Sequence, residues 1–407
     1  MLYMYIELIN CEYVHIYDKT AFAYTADSVC AFDEFSTKLI SILKIDSAYD
    51  TAIRMLEMQM KLNHKDTVNL VNEIIEVNHR FLIKSDRPNK IMITGHLSVR
   101  FPSLLQISLT NKCVHRCRHC FKKCDSNGST VFPPDVLIAL LNQVKKECKF
   151  IEFTGGEPLL YPQIMNIVES FHELFHIHIT TSGYSINKFS ISDLKMFEMI
   201  QISLHGSTAA THDSFVGKKG SFHIVTNNIR WLCANNINVV VSRSLQTYDK
   251  NELNNFIRLC IDLGVKRIIF GIIIPVGRAI ETKCATRCDE YTKILTFLKC
   301  AREKYTQIDI VIDEEHTLSK QQSIYMFHCI GGRLHLYINE NGDVFPCPYC
   351  QESGLSLGNV IIEPDLFEKI IYHAQYDTFN KKVLNRNWEI LQVICPNIRK
   401  PELPTID

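Results

Sequence analysis

Cys113, Cys117 and Cys120 follow a strand-like run, Leu105 to Thr110, at Cys-x3-Cys-x2-Cys spacing. Three thiolates so placed on one loop can each take one iron of a [4Fe-4S] cluster, leaving the fourth iron open to an outside ligand, much as catalytic zinc keeps an open position. Thr154-Gly155-Gly156-Glu157-Pro158 closes the next strand-like run. A zinc knuckle or unrelated thiols would explain the cysteines alone, but the Gly-Gly-Glu-Pro turn stands where the cluster reading requires it. Either motif by itself is a much weaker signal.

Together these residues resemble the radical S-adenosylmethionine (SAM) enzymes, whose cysteine loop and Gly-Gly-Glu-Pro turn are matched without a gap; the resemblance covers residues 100–312. It implies that the methionine amine and carboxylate of SAM chelate the open iron, with backbone groups of Gly155, Gly156 and Glu157 holding the amine. An electron from an external one-electron reductant then cleaves the sulfonium, and the resulting 5′-deoxyadenosyl radical removes a hydrogen atom from an inert carbon. By the same resemblance His119 lies beside the adenine, and Ser182 and Ser203 hydrogen-bond the ribose or the carboxylate of SAM. Arg243 or Ser244, ending the fifth strand, would meet the methionine carboxylate, the arginine as a charge-assisted fork; a core or surface role is equally open for each. His205 stands where many relatives have Asp, so no role transfers to it. Pro275-Val276-Gly277-Arg278-Ala279 resembles a stretch near the adenine wall, although Gly277 would also serve simply to turn the chain.

The elements that must position these residues alternate between short apolar and amphipathic runs. Strands are expected at Leu105 to Thr110, Phe150 to Thr154, Ile177 to Thr181, Ile200 to Leu204, Val239 to Ser244 and Arg267 to Ile274. Helices are expected at Asp135 to Cys148, Pro162 to Leu174, Phe222 to Ala234, Asn251 to Leu263 and Tyr291 to Lys304. This rhythm predicts an α/β fold with a parallel sheet covered by helices. About six βα units would form a partial (β/α)6 barrel, which is also the fold the resemblance implies. Ligands of such sheets sit at the carboxyl ends of the strands, where Cys113, Gly155 and Ser182 all fall.

Residues 1–95 read as a small α+β domain, with strands Met4 to Asn10, Tyr13 to Asp18 and Ala21 to Thr25 followed by helices. One helix carries Phe32, Phe35, Leu39 and Leu43 at helical spacing, and another carries Leu70, Val71, Ile74 and Ile75. The pattern resembles the winged-helix, PqqD-like recognition element that precedes the barrel in many peptide maturases, where a leader peptide adds a strand to an exposed sheet edge. A packing or dimerisation domain is the plainer reading.

Cysteines return in residues 323–407. Cys329 is followed by Gly342, then Cys347, Cys350 and Cys395, and Asn341-Gly342 predicts a hairpin between Leu334 to Ile338 and Val344 to Phe345. The arrangement resembles the first half of a SPASM domain; lacking the second half's dense cysteine run, it is expected as the shortened twitch form. That implies one auxiliary iron-sulfur cluster on Cys329, Cys347, Cys350 and Cys395. Zinc on the same sulfurs remains an alternative, since spacing alone does not separate the two.

Composition narrows the setting. The chain has 407 residues, 46% of them hydrophobic, 44 basic and 44 acidic residues, and 16 cysteines. Zero net charge and no Lys/Arg stripe interleaved with aromatics argue against a nucleic-acid partner. The longest apolar run, Ile268 to Val276, is too short to span a membrane. Many thiols with no secretory-type start suggest the reducing cytoplasm. The order of elements most resembles sactisynthases, with a Cys-x4-Lys-Pro-Glu-Leu-Pro tail like that of the sporulation-killing-factor maturase kind. The expected reaction is therefore a cysteine sulfur to α-carbon thioether in a ribosomally made precursor peptide, leader plus core. Epimerisation, carbon–carbon linkage and a small-molecule dehydrogenase or decarboxylase are the alternatives within enzymes. A cluster-based redox sensor with a winged-helix output is the alternative outside them.

Overall fold

The computed structural model describes residues 4–25, 29–312, 332, 334–351 and 356–372. The described residues divide into two compact units, one containing those up to 103 with 146–148, 332 and 334, the other containing 104–145, 149–312, 335–351 and 356–372.

In the first unit β1 (Tyr5–Leu8), β2 (Tyr13–Tyr17), β3 (Thr20–Tyr24) and β4 (Val29–Ala31) precede α1 (Glu34–Leu43), α2 (Tyr49–Met60) and α3 (His64–Val77), and β5 (Leu82–Ser85) and β6 (Met92–His96) follow. β1 pairs with β5, and a four-stranded sheet runs β4-β3-β2-β6 with β4 on its edge. The three expected strands and both helical patterns are present; β4, β5 and β6 were not foreseen, being short and without a clear alternation. Asp33 caps α1 by accepting from the Ser36 N–H at 2.8 Å. Leu39 and Leu43 enter the core with Val71 and Ile74, but Phe32 precedes the helix and Phe35 is 49% exposed, so the apolar stripe is narrower than its spacing suggested.

His15 on β2 is completely buried in this core. Its Nδ1 meets the Thr94 hydroxyl at 2.8 Å and its Nε2 the Phe101 carbonyl at 2.8 Å. A carbonyl only accepts, so the proton sits on Nε2 and Nδ1 accepts.

The second unit runs β7 (Leu104–Ser108), α4 (Pro134–Val144), β8 (Phe150–Thr154), α5 (Ile164–Phe171), β9 (His176–Thr181), α6 (Ile191–Lys195), β10 (Met199–Ser203), α7 (Ala209–Val216), α8 (Ser221–Ala234), β11 (Val239–Leu245), α9 (Lys250–Asp262), β12 (Arg267–Ile272), α10 (Arg278–Glu281), α11 (Cys288–Lys304) and β13 (Asp309–Ile312). The expected hairpin follows as β14 (His335–Ile338) and β15 (Asp343–Phe345), then β16 (Gly358–Asn359) and α12 (Leu366–Tyr372). All ten strands form one sheet, β13-β12-β11-β10-β9-β8-β7-β14-β15-β16. β7 to β13 are mutually parallel, the parallel sheet that the alternation of strands and helices led us to expect. β14 also pairs in parallel with β7, Tyr337 beside Gln106, so the C-terminal hairpin extends the barrel sheet instead of standing apart. Helix α4 stops at Val144, four residues short of the expected Cys148, and no described helix is long and apolar enough to cross a membrane.

Along β8, β9 and β10 exposure alternates: Ile151, Phe153, Ile177, Ile179, Ile200 and Ile202 are buried while their neighbours are half-buried, except Thr154 at the end of β8, which is buried as well. Successive side chains point to opposite faces. The helix-covered face is therefore apolar and closed, and the inner face is partly open.

Burial lowers the His15 pKa from 6.5 to about 4, opposed by the hydrogen bond to Phe101. The folded chain then holds the imidazole neutral where the unfolded chain protonates it, so stability is complete above pH about 6.5 and falls as pH drops towards 4. The expected loss is roughly 3 kcal/mol over that window, with a smaller slope in H15Q, measured by urea unfolding between pH 4 and 7.

Candidate active site

The cysteine loop leaves the end of β7 and is held from three sides by backbone hydrogen bonds. The Gly156 N–H donates to the Thr110 carbonyl at 2.6 Å, the Glu157 N–H to that of Lys112 at 2.8 Å, and the Cys113 N–H to that of Asp125 at 2.8 Å. A Cβ on Gly156 would stand 2.4 Å from the Lys112 oxygen, so only glycine permits this approach.

The third side is the segment after β12. Arg278 is 3% exposed and its guanidinium donates to the carbonyls of Cys117 at 2.8 Å, Lys123 at 2.6 Å and Cys124 at 3.0 Å. Its own N–H donates to the Cys120 carbonyl at 2.9 Å. Gly277, at φ +56°, lies so close that a Cβ would meet the Phe121 oxygen at 2.2 Å. The Gly277-Arg278 pair is thus a clamp on the cysteine loop, more than a chain turn, and Arg278 carries a role that the sequence reading passed over.

The three thiols are mutually close enough to interact. Burial pushes the Cys117 thiol well above its ordinary range, with Cys113 and Cys120 adding to the effect; burial and then the Glu157 charge raise Cys113 to about 12. Cys120 differs: a hydrogen bond from Cys124 lowers it to about 6, and the Cys124 N–H also reaches its sulfur at 3.3 Å. Among the described residues no three Cys, His, Asp or Glu side chains converge tightly enough for a single metal ion. A cubane takes each cysteine at a separate iron, and its ligands stand correspondingly further apart. The donor set, the glycine cradle and the carbonyl clamp suit such a cluster.

Glu157 is fully buried and its carboxylate is committed internally, accepting from Thr181 Oγ1 at 2.6 Å, Leu159 N at 3.1 Å and Ser182 N at 2.9 Å. The Ser182 hydroxyl also donates to it. Ser182, expected to hydrogen-bond the ribose or the carboxylate of SAM, here gives its hydroxyl proton to Glu157, which locks the end of β9 to the glycine turn and leaves the hydroxyl oxygen as an acceptor.

His119 is half-buried, with its ring 4.8 Å from Phe215 and 4.7 Å from His205. Its Nδ1 has no partner among the described residues, and burial followed by the nearby Arg278 charge lowers its pKa to about 4. His205, to which sequence gave no role, belongs to a wired set. Its N–H donates to His212 Nδ1 at 3.0 Å, His212 Nε2 meets Ser221 Oγ at 3.1 Å, and Ser221 meets His115 Nε2 at 2.9 Å. Because a backbone N–H occupies His212 Nδ1, that ring donates from Nε2, and the Ser221 hydroxyl passes its proton on towards His115.

Arg243 and Ser244 separate cleanly. Arg243 pairs with Phe270, its guanidinium lies 4.5 Å from the Phe256 ring of α9, and it donates to Glu252 at 3.1 Å. It therefore packs towards α9, the core role that the sequence also left open, while its Nε and Nη1 have no partner among the described residues; adjacent strand residues point oppositely, so Ser244 faces inward. Ser203 also faces inward, beside Ser242. The same face carries Gln106 beside Glu152, Glu152 beside His178, and Thr180 beside Gln201, with Thr180 donating to Glu152 at 2.6 Å. The sequence signal for this polar row was present as every second residue of the strands.

Cys347 and Cys350 lie on the turn after β15 with their sulfurs 3.4 Å apart. Cys329 and Cys395 fall outside the described residues.

Residues 107–260 match the radical SAM superfamily, and residues 329–395 match an iron-sulfur cluster-binding (SPASM) domain. Among curated relatives the chain is 24% identical over 345 residues to the antilisterial bacteriocin subtilosin biosynthesis protein AlbA of Bacillus subtilis, covering 80% of this chain and 70% of that one. It is 26% identical over 284 residues to the sporulation killing factor maturation protein SkfB of the same organism, covering 68% of this chain and 66% of that one. The fold is similar to that of Streptococcus suis SuiB, with TM-score 0.65 at 15% identity over 96% of this chain and 94% of that one.

Replacing Arg278 by Ala is expected to lower iron and acid-labile sulfide content tenfold or more, because each charge-assisted hydrogen bond it makes contributes about 1.5–3 kcal/mol. R278K should recover only part of it, since one ammonium cannot span three carbonyls.

Proposed function

We propose that this chain, a radical SAM enzyme through residues 107–260 with an iron-sulfur cluster-binding domain over residues 329–395, joins a cysteine sulfur to the α-carbon of another residue in a ribosomally made precursor peptide. The observation that carries this reading is the pairing of both centres in one chain with similarity, over 80% of its length, to a protein named for subtilosin biosynthesis. The likeness to SkfB, named for maturation of the sporulation killing factor, points the same way.

The cofactors are a [4Fe-4S] cluster with SAM and an auxiliary iron-sulfur cluster. With SAM bound, the chemistry supplied would be a 5′-deoxyadenosyl radical able to take a hydrogen atom from carbon; the cysteine thiol would release its proton as the carbon–sulfur bond forms, and the one remaining electron would go to the auxiliary iron-sulfur cluster. Cys113, Cys117 and Cys120 hold the first cluster, and Arg278 with Gly277 fixes the loop that carries them. Cys347 and Cys350, with Cys329 and Cys395, hold the second. Since the N–H groups of Gly156 and Glu157 are already engaged, the glycine turn receives the methionine amine through carbonyl oxygens. His119 lies along the adenine with its unpartnered Nδ1 available as an acceptor or donor. Ser203 and Ser244 offer inward hydroxyls at the strand ends.

The half-buried inner face, with Gln106, Glu152, His178, Thr180 and Gln201, receives the core peptide through hydrogen bonds, while the helix-covered face keeps water away from the reacting carbon. The first unit acts as a PqqD-like element, its edge strand β4 receiving the leader by strand addition.

Anaerobic co-expression with a precursor peptide encoded nearby is expected to give a peptide lighter by about 2 Da, the loss of two hydrogens, with no change beside C117A. Deuterium gained in heavy water without mass loss would instead mean epimerisation. Neither change, with both clusters assembled, would favour a small-molecule substrate.

A further inference from the structure

Lys122 and Glu340 are charges placed where charges are costly. They lie 218 residues apart in sequence, with side chains 3% and 9% exposed. Lys122 donates to the Glu340 carboxylate and to the Ser108 hydroxyl, and Ser108 donates to Glu340 at 2.9 Å. The Tyr337 ring lies 6.0 Å from the ammonium. The ring of charges and hydroxyl is closed, and apolar side chains of similar volume would stabilise such a position as well or better. A reason beyond stability is therefore called for.

Location supplies one. Lys122 stands two residues after Cys120 on the clamped loop, and Glu340 stands on the hairpin turn that leads through β15 into Cys347. Between them Phe121 packs against Tyr337 and Tyr349, with ring centroids at 6.4 and 5.7 Å, beside Phe345, Cys347 and Cys350. The pair thus bridges the two segments that present cysteine.

We propose that Lys122 and Glu340 are positioning residues that hold the cysteine loop and the hairpin in one register and keep the region between the two iron-sulfur centres electrically neutral, so that each hydrogen abstraction is followed by cross-linking. The inference rests on the assignment of the two centres made above.

The test uses the full chain, reconstituted anaerobically, as wild type, K122M, E340Q and K122M/E340M. Redox titration of each centre, followed by electron paramagnetic resonance, should show K122M shifted to more negative potential, because the Glu340 charge stands alone, and E340Q to more positive. The double variant should return towards wild type. Shifts in the same direction, or none, would overturn the proposal, because a merely structural role moves both single variants alike. 5′-Deoxyadenosine formed per cross-linked peptide should rise several-fold in each single variant, and an unchanged ratio would equally overturn it. Melting of iron-free protein gives a reading that does not depend on loading: Tm should fall further in either single variant than in the double, and equal falls would count against a paired role. Wild-type protein that makes 5′-deoxyadenosine but no cross-link would overturn the proposed reaction, while the potentials and melting still judge the pair.

Discussion

Three sulfurs can be offered to separate irons only if the backbone between them has almost no freedom, and a loop of that length has many carbonyls to satisfy. The chain meets this requirement with a single guanidinium. Arg278 presents planar, fixed donors, and three carbonyls of the cysteine loop converge on them. Around that contact the rest of the site is arranged. Glycine at 277 lets the clamp come near, glycine at 156 lets the turn after β8 meet residue 112, and Glu157 ties that turn to the end of β9. Each of these contacts joins segments distant in sequence, so the cluster loop takes its shape from the barrel and not from its own propensities.

The sheet has a second task, which is to keep two environments apart across the thickness of one strand. Isoleucines and phenylalanines seal the helix-covered side, while amide, carboxylate, imidazole and hydroxyl groups share the other. A fully filled barrel interior would be apolar and tightly packed. The alternation of buried and half-buried residues in β8 to β10 instead describes a surface prepared to meet a polar ligand, such as a peptide whose own backbone needs partners.

Much of this was legible in the residue order because it rests on local signals. The cysteine spacing, the Gly-Gly-Glu-Pro turn, the βα rhythm and the Asn341-Gly342 hairpin are each written within a few residues. What could not be read depends on contacts over long separations. Nothing near Arg278 announces that it reaches back to residues 117–124, and nothing near Lys122 names Glu340. For Arg243 the residue type left an anion contact and a core role both open, and strand alternation supplies what was missing: its neighbour Ser242 faces inward, so it faces α9. Ser182 was assigned a ligand because the competing carboxylate, Glu157, is brought to it only by the fold.

The parallel pairing of β14 with β7 has a consequence for how the molecule comes into being. Leu104 to Ile107 find their partners only at His335 to Ile338. During synthesis the barrel strands emerge in order, yet β7 keeps an unpaired edge until the chain has grown past residue 338, roughly ten to fifty seconds later at ordinary ribosomal rates. An open parallel edge beside an incompletely built cysteine loop is a site for mispairing with other chains. Late arrival of β14 therefore makes completion of the sheet, and with it the final environment of Ser108 and the loop beyond, one of the last events in folding.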